Sequence, residues 1–267
     1  MEVTAWTRAA FDVTSGSDVH AAIVAAKVEA VVHLAAWTNV DGAEADPDTA
    51  MKVNRDGAAH VAAACRSAGA TCIYVSSDYV LQGDRDEPLP PGAPVRPRGV
   101  YAMSKAAGEA EVRDAGGAWL IARTGWVYGP GGRNFIDTMR ALAGEGKAVR
   151  VVDDQHGAPT STRLIAGVLR VLLAGRRTGI WHVAPAGSTT WYHVARAVYA
   201  AAGADVALVS PCTTAEAGRA APRPGFSVLD TDATAQALGH ALPPWQRDVK
   251  AYVATGTLPG SAWENGA

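Results

Sequence analysis

Over the first two-thirds of the chain, apolar and polar positions alternate between two kinds of segment. Short apolar runs, EAVVHLAA at 29–36, TCIYVSS at 71–77, AWLIART at 118–124 and KAVRVVD at 147–153, have the length and β-branched content of strands. Between them lie Ala-rich stretches that read as helices, at 17–27, 47–67 and 100–113. Asp46-Pro47 is a helix start, because proline is pre-set for the first turn, and Gly69 stands where a C-cap glycine belongs. The apolar runs lack clean alternation with polar residues, as expected of strands buried on both faces. Strands separated by crossover helices therefore predict an α/β fold with a doubly wound parallel sheet.

From about Arg150 the pattern loosens. A helix at 161–173, a strand at 179–185, a helix at 190–202 and a strand at 206–210 are followed by proline-bearing loops at 222–224 and 242–245. This stretch reads as a smaller C-terminal lobe without a clean linker, and the last twelve residues, GTLPGSAWENGA, read as a fraying tail.

Composition narrows the partners more than the fold. The 267 residues are 48% hydrophobic and 19% charged, enough for a sizeable core in a soluble chain. A formal net charge of −2 favours neither nucleic acid nor an anionic membrane. Cys65, Cys72 and Cys212 are odd in number and set among apolar residues, so they read as reduced thiols of a cytoplasmic protein. No apolar run approaches the ~18 residues of a membrane span, and the start does not read as a signal peptide. The histidines lack metal-ligand spacing, so no metal site is expected. The absence of a G-x-S-x-G elbow argues against a hydrolase. Asp153-Asp154 reads as a loop end in a sugar pocket, because adjacent residues point to opposite faces.

Candidate chemistry begins at YVSSDYVLQG (74–83), where two hydroxyls and an acid end a strand. In open parallel sheets ligands bind beyond the carboxyl ends of the strands. YAMSK (101–105) then places Tyr101 and Lys105 one helical turn apart. A tyrosine titrates near pH ~10 when unperturbed, and a neighbouring ammonium favours the phenolate and lowers that value. Tyr101 could then pass a proton to a carbonyl oxygen that Ser77 also holds. Taken alone, Y-x-x-x-K reads first as a solvated helix face.

The order of further segments resolves more. AAWTNVDGAE (35–44), VNRDG (53–57), SSDYVLQG (76–83), YAMSK (101–105), RTGWVYGPGGRNF (123–135), DDQHGAPT (153–160), TTWY (189–192) and RPGFSVL (223–229) appear in sequence along nearly the whole chain. In these the chain resembles the extended short-chain dehydrogenase/reductases, and within them the dTDP-4-dehydrorhamnose reductase family. The resemblance implies a Rossmann-like sheet with residues 1–150 as the dinucleotide-binding domain. Residues 151–267 would form most of a substrate-binding lobe interleaved with it. It also implies that Tyr101 donates the proton, that Lys105 is its electrostatic partner and ribose contact, and that Ser77 stands where the family usually has threonine. Ala35, Ala36 and Trp37 would border the cofactor, Asn54 would position the site, and Asp12 and Val13 would lie at the adenine side. Thr38 and Val40 would line the sugar pocket, Asp78 would contact the sugar, and Trp126 would lie against the deoxysugar unless it is core packing. The implied activity is reduction of the 4-keto group of a dTDP-4-keto-6-deoxyhexose by NADPH or NADH. Homodimerisation and an accessory Mg2+ come with the resemblance alone.

One part of the family pattern is not in the given sequence. The segment EVTAWTR matches the family's second strand, so the first strand and its G-x-x-G-x-x-G turn, the first βα unit, are missing; GPGGRN at 129–134 has the wrong place and spacing to replace them. Deleting a central strand would expose two edges, so the reading favours a start assigned downstream of the true one over a shortened gene. As written, the chain is expected to bind dinucleotide weakly. Arg8, after the second-strand match, tips the cofactor toward NADPH over NADH. Two rival readings remain: a sugar-nucleotide epimerase or dehydratase on the same scaffold, and a non-catalytic sugar-nucleotide-binding or regulatory subunit.

Overall fold

Asp12 turns the chain into its first helix: its Oδ1 accepts from the Thr14 N–H at 2.9 Å. α1 (Gly16–Ala26) follows, burying Val19 and Ile23. The computed structural model describes residues 2–81 and 86–258. The next apolar run gives β1 (Ala30–His33). Beyond it come α2 (Val40–Ala45), capped by the Asn39 side chain, and α3 (Pro47–Met51), capped by Asp46 with proline in its first turn. The single helix expected at 47–67 is interrupted: Lys52–Asp56 is a π-helical turn, and α4 (Gly57–Ala68) resumes beyond it before ending at Gly69 with φ 68°. The turn carries Asn54, which is fully buried. A wide turn of this kind is favoured where a side chain must be re-aimed.

β2 (Thr71–Ser77), α5 (Val100–Asp114) and β3 (Trp119–Thr124) complete the first half. Successive side chains on a strand point to opposite faces, and here both faces are covered. Val31, Cys72, Tyr74 and Ile121 pack against α1, α4 and Val112 of α5. Ile73, Leu120 and Ala122 instead meet the apolar face of a later helix.

The chain then alternates between two cores. β4 (Val127–Tyr128), α6 (Phe135–Gly144), β5 (Val149–Val152), β6 (His156–Gly157) and β7 (Thr160–Ser161) precede α7 (Thr162–Ala174), whose Leu164, Ile165, Val168, Leu169 and Leu172 cover the second face of the sheet. β8 (Gly179–His182) pairs in parallel with β3, giving the order β1-β2-β3-β8. The 179–185 run, read from the sequence with the later lobe, thus belongs to the main sheet. The reverse holds for 147–153: beyond β9 (Thr189–Thr190), which pairs with β6, comes β10 (Val209–Cys212), and β5 pairs with it, away from that sheet. A short apolar run fits either site, so its pairing is decided only by which neighbour is in reach. The second core gathers α6, β5, β10, α8 (Trp191–Ala201) and, after the short helices α9 (Thr214–Ala217) and α10 (Asp232–Leu238), α11 (Trp245–Thr255). The expected strand at 206–210 begins as a 3-10 turn, Val206–Leu208.

One expected strand is absent. Residues 2–7 form no ladder, although the resemblance implied a strand at EVTAWTR. Trp6 packs instead at 5.8 Å from Phe11, against the α1–α4 layer. A strand exists only where its backbone groups pair. β1 is an edge strand of the sheet, and its Val32 and the following Leu34 are 41% and 67% exposed.

α5 approaches the sheet through Gly108. A Cβ there would stand 2.4 Å from the Asn54 carbonyl oxygen and 2.4 Å from the Tyr74 hydroxyl. Both atoms are held, since Tyr74 donates to that carbonyl at 3.2 Å. Gly108→Ala should therefore destabilise the fold by about 1–3 kcal/mol despite alanine's better helix propensity, read as a lowered urea midpoint with unchanged slope.

Candidate active site

Three side chains named from the sequence meet at the carboxyl end of β2. Ser77 closes that strand, Asp78 follows in a 3-10 turn (Asp78–Val80), and Tyr101 stands in the first turn of α5. The start of α5 is fixed from outside by Glu44, whose Oε1 accepts from the Val100 N–H at 2.8 Å. Gly99, with φ 81°, lets the chain pass between Glu44 and Pro222, where a Cβ would meet Oε1 at 2.7 Å. The Tyr79 ring meets Tyr101 edge-on at 5.8 Å, which orients the phenol.

Burial governs the protonation of this group. It raises the Tyr101 phenol to about 12, with the Ser77 hydroxyl opposing the rise and the Asp78 carboxylate adding to it. Burial lowers the Lys105 ammonium to about 7, against an opposing pull from Glu109. Lys105 donates to the Val75 carbonyl at 2.8 Å and lies 4.0 Å over the Tyr74 ring. In this conformation the Lys105 ammonium is engaged by β2, and loss of solvation dominates the Tyr101 phenol. Next to them, His33 is buried, stacks at 5.7 Å on Tyr74 and is pushed down to about 3 by burial and the Lys105 charge.

Asp78 is 3% exposed and accepts from Ser227 at 2.6 Å and from Ser77 at 3.0 Å. Gly125 leaves room for it, since a Cβ there would fall 2.5 Å from the Asp78 carboxyl carbon. Burial raises the Asp78 carboxyl to about 6, opposed by these hydrogen bonds.

The other expected residues are distributed as follows. Asn54 accepts from the Trp37 N–H at 2.7 Å and donates to the Trp37 carbonyl at 3.1 Å and to Ser104 at 2.9 Å. It therefore ties the loop after β1, which carries Ala35, Ala36, Trp37 and Thr38, to α5. Ala35 and Thr38 are exposed, and Val40 opens α2 half-buried. Arg8 and Asp12 form an exposed pair at 3.3 Å. Val13 lies under Gly57, and its carbonyl is 2.9 Å from His60 Nδ1. Trp126 has φ 52° and stacks on Trp191 at 3.8 Å and 10°, with Gly157 against its indole. One face of that ring is thus already covered.

Several residues that build the site were not singled out from the sequence. Glu44 is one; Ser227 and the pair Asp41–Arg223 are others. Arg223 holds both Asp41 oxygens at 3.0 Å and so fastens the 221–229 segment beside the loop after β1. Only the quoted motifs DGAE and RPGFSVL hinted at them, because nothing in sequence spacing links positions 182 apart. Asp153 and Asp154 diverge as adjacent residues should. Asp154 accepts from Thr214, whereas Asp153 lines a separate cavity of about 660 Å³ with His156, Thr190, His193 and Trp245. Among the described residues no group of three or more His, Cys, Asp or Glu could hold a metal ion, and no helix is long and apolar enough to cross a membrane. Gln82 and Gly83, at the end of the quoted 76–83 motif, and 259–267 of the tail lie outside the described residues.

A carboxyl raised from its ordinary value binds its proton more tightly in the folded state. Asp78 thus favours folding as pH falls from above about 6 toward its unfolded value, and this contribution is lost as pH rises through about 6. Asp78→Asn should reduce the loss of Tm between pH 4 and 7 relative to the parent, measured by calorimetry; parallel curves would contradict this.

The RmlD substrate binding domain family matches residues 1–257. The dTDP-4-dehydrorhamnose reductase of Streptomyces griseus is 43% identical over 85% of this chain and 77% of its own length. That of Mycolicibacterium smegmatis is 38% identical over 94% of this chain and 77% of its own length. Among solved structures, dTDP-4-dehydrorhamnose reductase from Bacillus anthracis in complex with NADP superposes with a TM-score of 0.88 at 33% identity, covering 92% of this chain and 88% of that one. With its parallel sheet, its half-buried tyrosine and buried lysine on α5, and agreement along nearly all of its length, this chain belongs to the RmlD family.

Proposed function

We propose that the chain catalyses NAD(P)H-dependent reduction of the 4-keto group of a dTDP-4-keto-6-deoxyhexose, in the synthesis of dTDP-L-rhamnose or a related deoxysugar. The observation that carries this reading is the meeting of Ser77 and Tyr101, with Lys105 behind them, at the end of β2. The relatives named dTDP-4-dehydrorhamnose reductase support the substrate class.

Tyr101 keeps its hydrogen at neutral pH because burial raises it to about 12, so it is a donor rather than a base. It gives that proton to the ketone oxygen as negative charge develops there. The Ser77 hydroxyl, now donated to Asp78, turns to the same oxygen and shares its charge. Charged Lys105 stabilises the phenolate left behind. Asp78 and Ser227 anchor the floor beside these groups and fix where the sugar sits.

The donor set suits the nicotinamide and ribose end of a dinucleotide. Lys105 spends one of its three hydrogens on Val75 and retains two for ribose hydroxyls. Residues Ala35, Ala36 and Trp37, steadied by Asn54, would border the ring, and Arg8, Asp12 and Val13 would meet the adenine end. A bound dinucleotide supplies the hydride. Arg8 favours NADPH, and the Bacillus anthracis enzyme was solved with NADP.

Supplied with dTDP-4-keto-6-deoxyglucose, the epimerase that acts before reduction, and NADPH, the protein should consume NADPH. Sugar conversion without net consumption would instead support an epimerase. Tyr101→Phe should lower kcat at least about 100-fold, the scale of general-acid catalysis, with little change in Tm. The pH profile carries a second expectation. Lys105 loses its charge as pH rises through about 7, whereas Tyr101 remains protonated. Hence kcat/KM should fall above about pH 7, and the residual rate of Lys105→Met should lack that fall; an alkaline limb unchanged in Lys105→Met would refute the assignment.

A further inference from the structure

Tyr101, Lys105 and Glu109 recur every fourth residue of α5 and so occupy one face of the helix. Glu109 meets Arg123 of β3 through two parallel bonds, Nε to Oε1 at 2.8 Å and Nη2 to Oε2 at 2.7 Å. Both side chains are 1% exposed. The third guanidinium nitrogen of Arg123, Nη1, donates to the Pro91 carbonyl at 3.0 Å, in the segment that leads into α5. Its main chain is as firmly placed: Arg123 stands opposite Ser76 of β2, Thr124 stands opposite Ser77, and the Arg123 carbonyl accepts from Val183.

We propose that the Glu109–Arg123 pair is a positioning element for the reaction, setting the register of α5 over β3 and thereby the place of Tyr101 and Lys105 relative to Ser77. This rests on the ketoreductase reading given above. A fork held by two bonds tolerates little sliding, whereas an apolar contact at the same place would allow several registers. Net stability does not account for the pair, because a well-packed apolar substitute for a buried ion pair is often as stable or more so. Geometry also bears on charge. Lys105 is faced by His33 from β1, Tyr74 from β2 and Glu109 from its own helix, the last bound to Arg123 of β3. Of these, the Glu109 carboxylate favours the ammonium form against burial.

The test compares the parent with the double variant Glu109→Leu/Arg123→Met, which removes both charges and so avoids a stranded one. Arg123→Lys is the second variant; it keeps the positive charge and loses the fork. Crystal structures and steady-state kinetics are measured for all three. In the folded double variant Tyr101 is expected to move relative to Ser77 by about 1 Å, with kcat reduced by about tenfold or more and KM for the nucleotide sugar within about threefold. Arg123→Lys should show the same split in milder form. An unmoved Tyr101, or a parental kcat in a folded double variant, overturns the proposal. Should the parent itself not reduce the sugar, the ketoreductase reading fails, and the position of Tyr101 in the double variant still decides whether the pair sets register.

Discussion

Removal of solvent from the carboxyl ends of β1 and β2 governs the rest of the site. The same physical cause acts with opposite sign on acids and bases: it raises Tyr101 and Asp78 and lowers Lys105 and His33. Each group is displaced toward its uncharged form, because isolated charge is costly where water is excluded. The outcome is a phenol that holds its proton and an amine that titrates near neutrality. Such a pair is suited to donating a proton rather than abstracting one.

That environment is assembled from distant parts of the chain. Ser227 reaches Asp78 from 149 residues away, and Arg223 reaches Asp41 from 182 away. The segment carrying them also joins the strap before α5, where Leu89 donates to Val228 and accepts from Asp230. Water is kept from the β2 end by residues that have no chemical part in a reduction.

Much of this was legible beforehand for definite reasons. Residues 71–77 and 118–124 are largely apolar without alternation and have strand length and β-branched content, so β2 and β3 were legible locally. Asp46-Pro47 and Gly69 marked helix ends through backbone preferences that act within a turn. The i, i+4 spacing put Tyr101 and Lys105 on one face without any knowledge of the fold. By contrast, β5 and β8 exchanged places between the two cores, since a four-residue run carries no record of its partner. Residues 2–7, a strand by resemblance, form no ladder, because pairing is a property of two segments rather than one.

The sequence by itself determined the alternating α/β order, the residues placed at the end of β2, and the helical spacing of the tyrosine and lysine, all set by periodicity and local backbone preference. Only the tertiary structure decided that Lys105 points to Val75, that Trp126 stacks on Trp191, that a π-turn aims Asn54 at Trp37, and that Glu109 is locked to Arg123. Those choices depend on which groups lose water together, and desolvation is a property of the packed neighbourhood that no single stretch of chain contains.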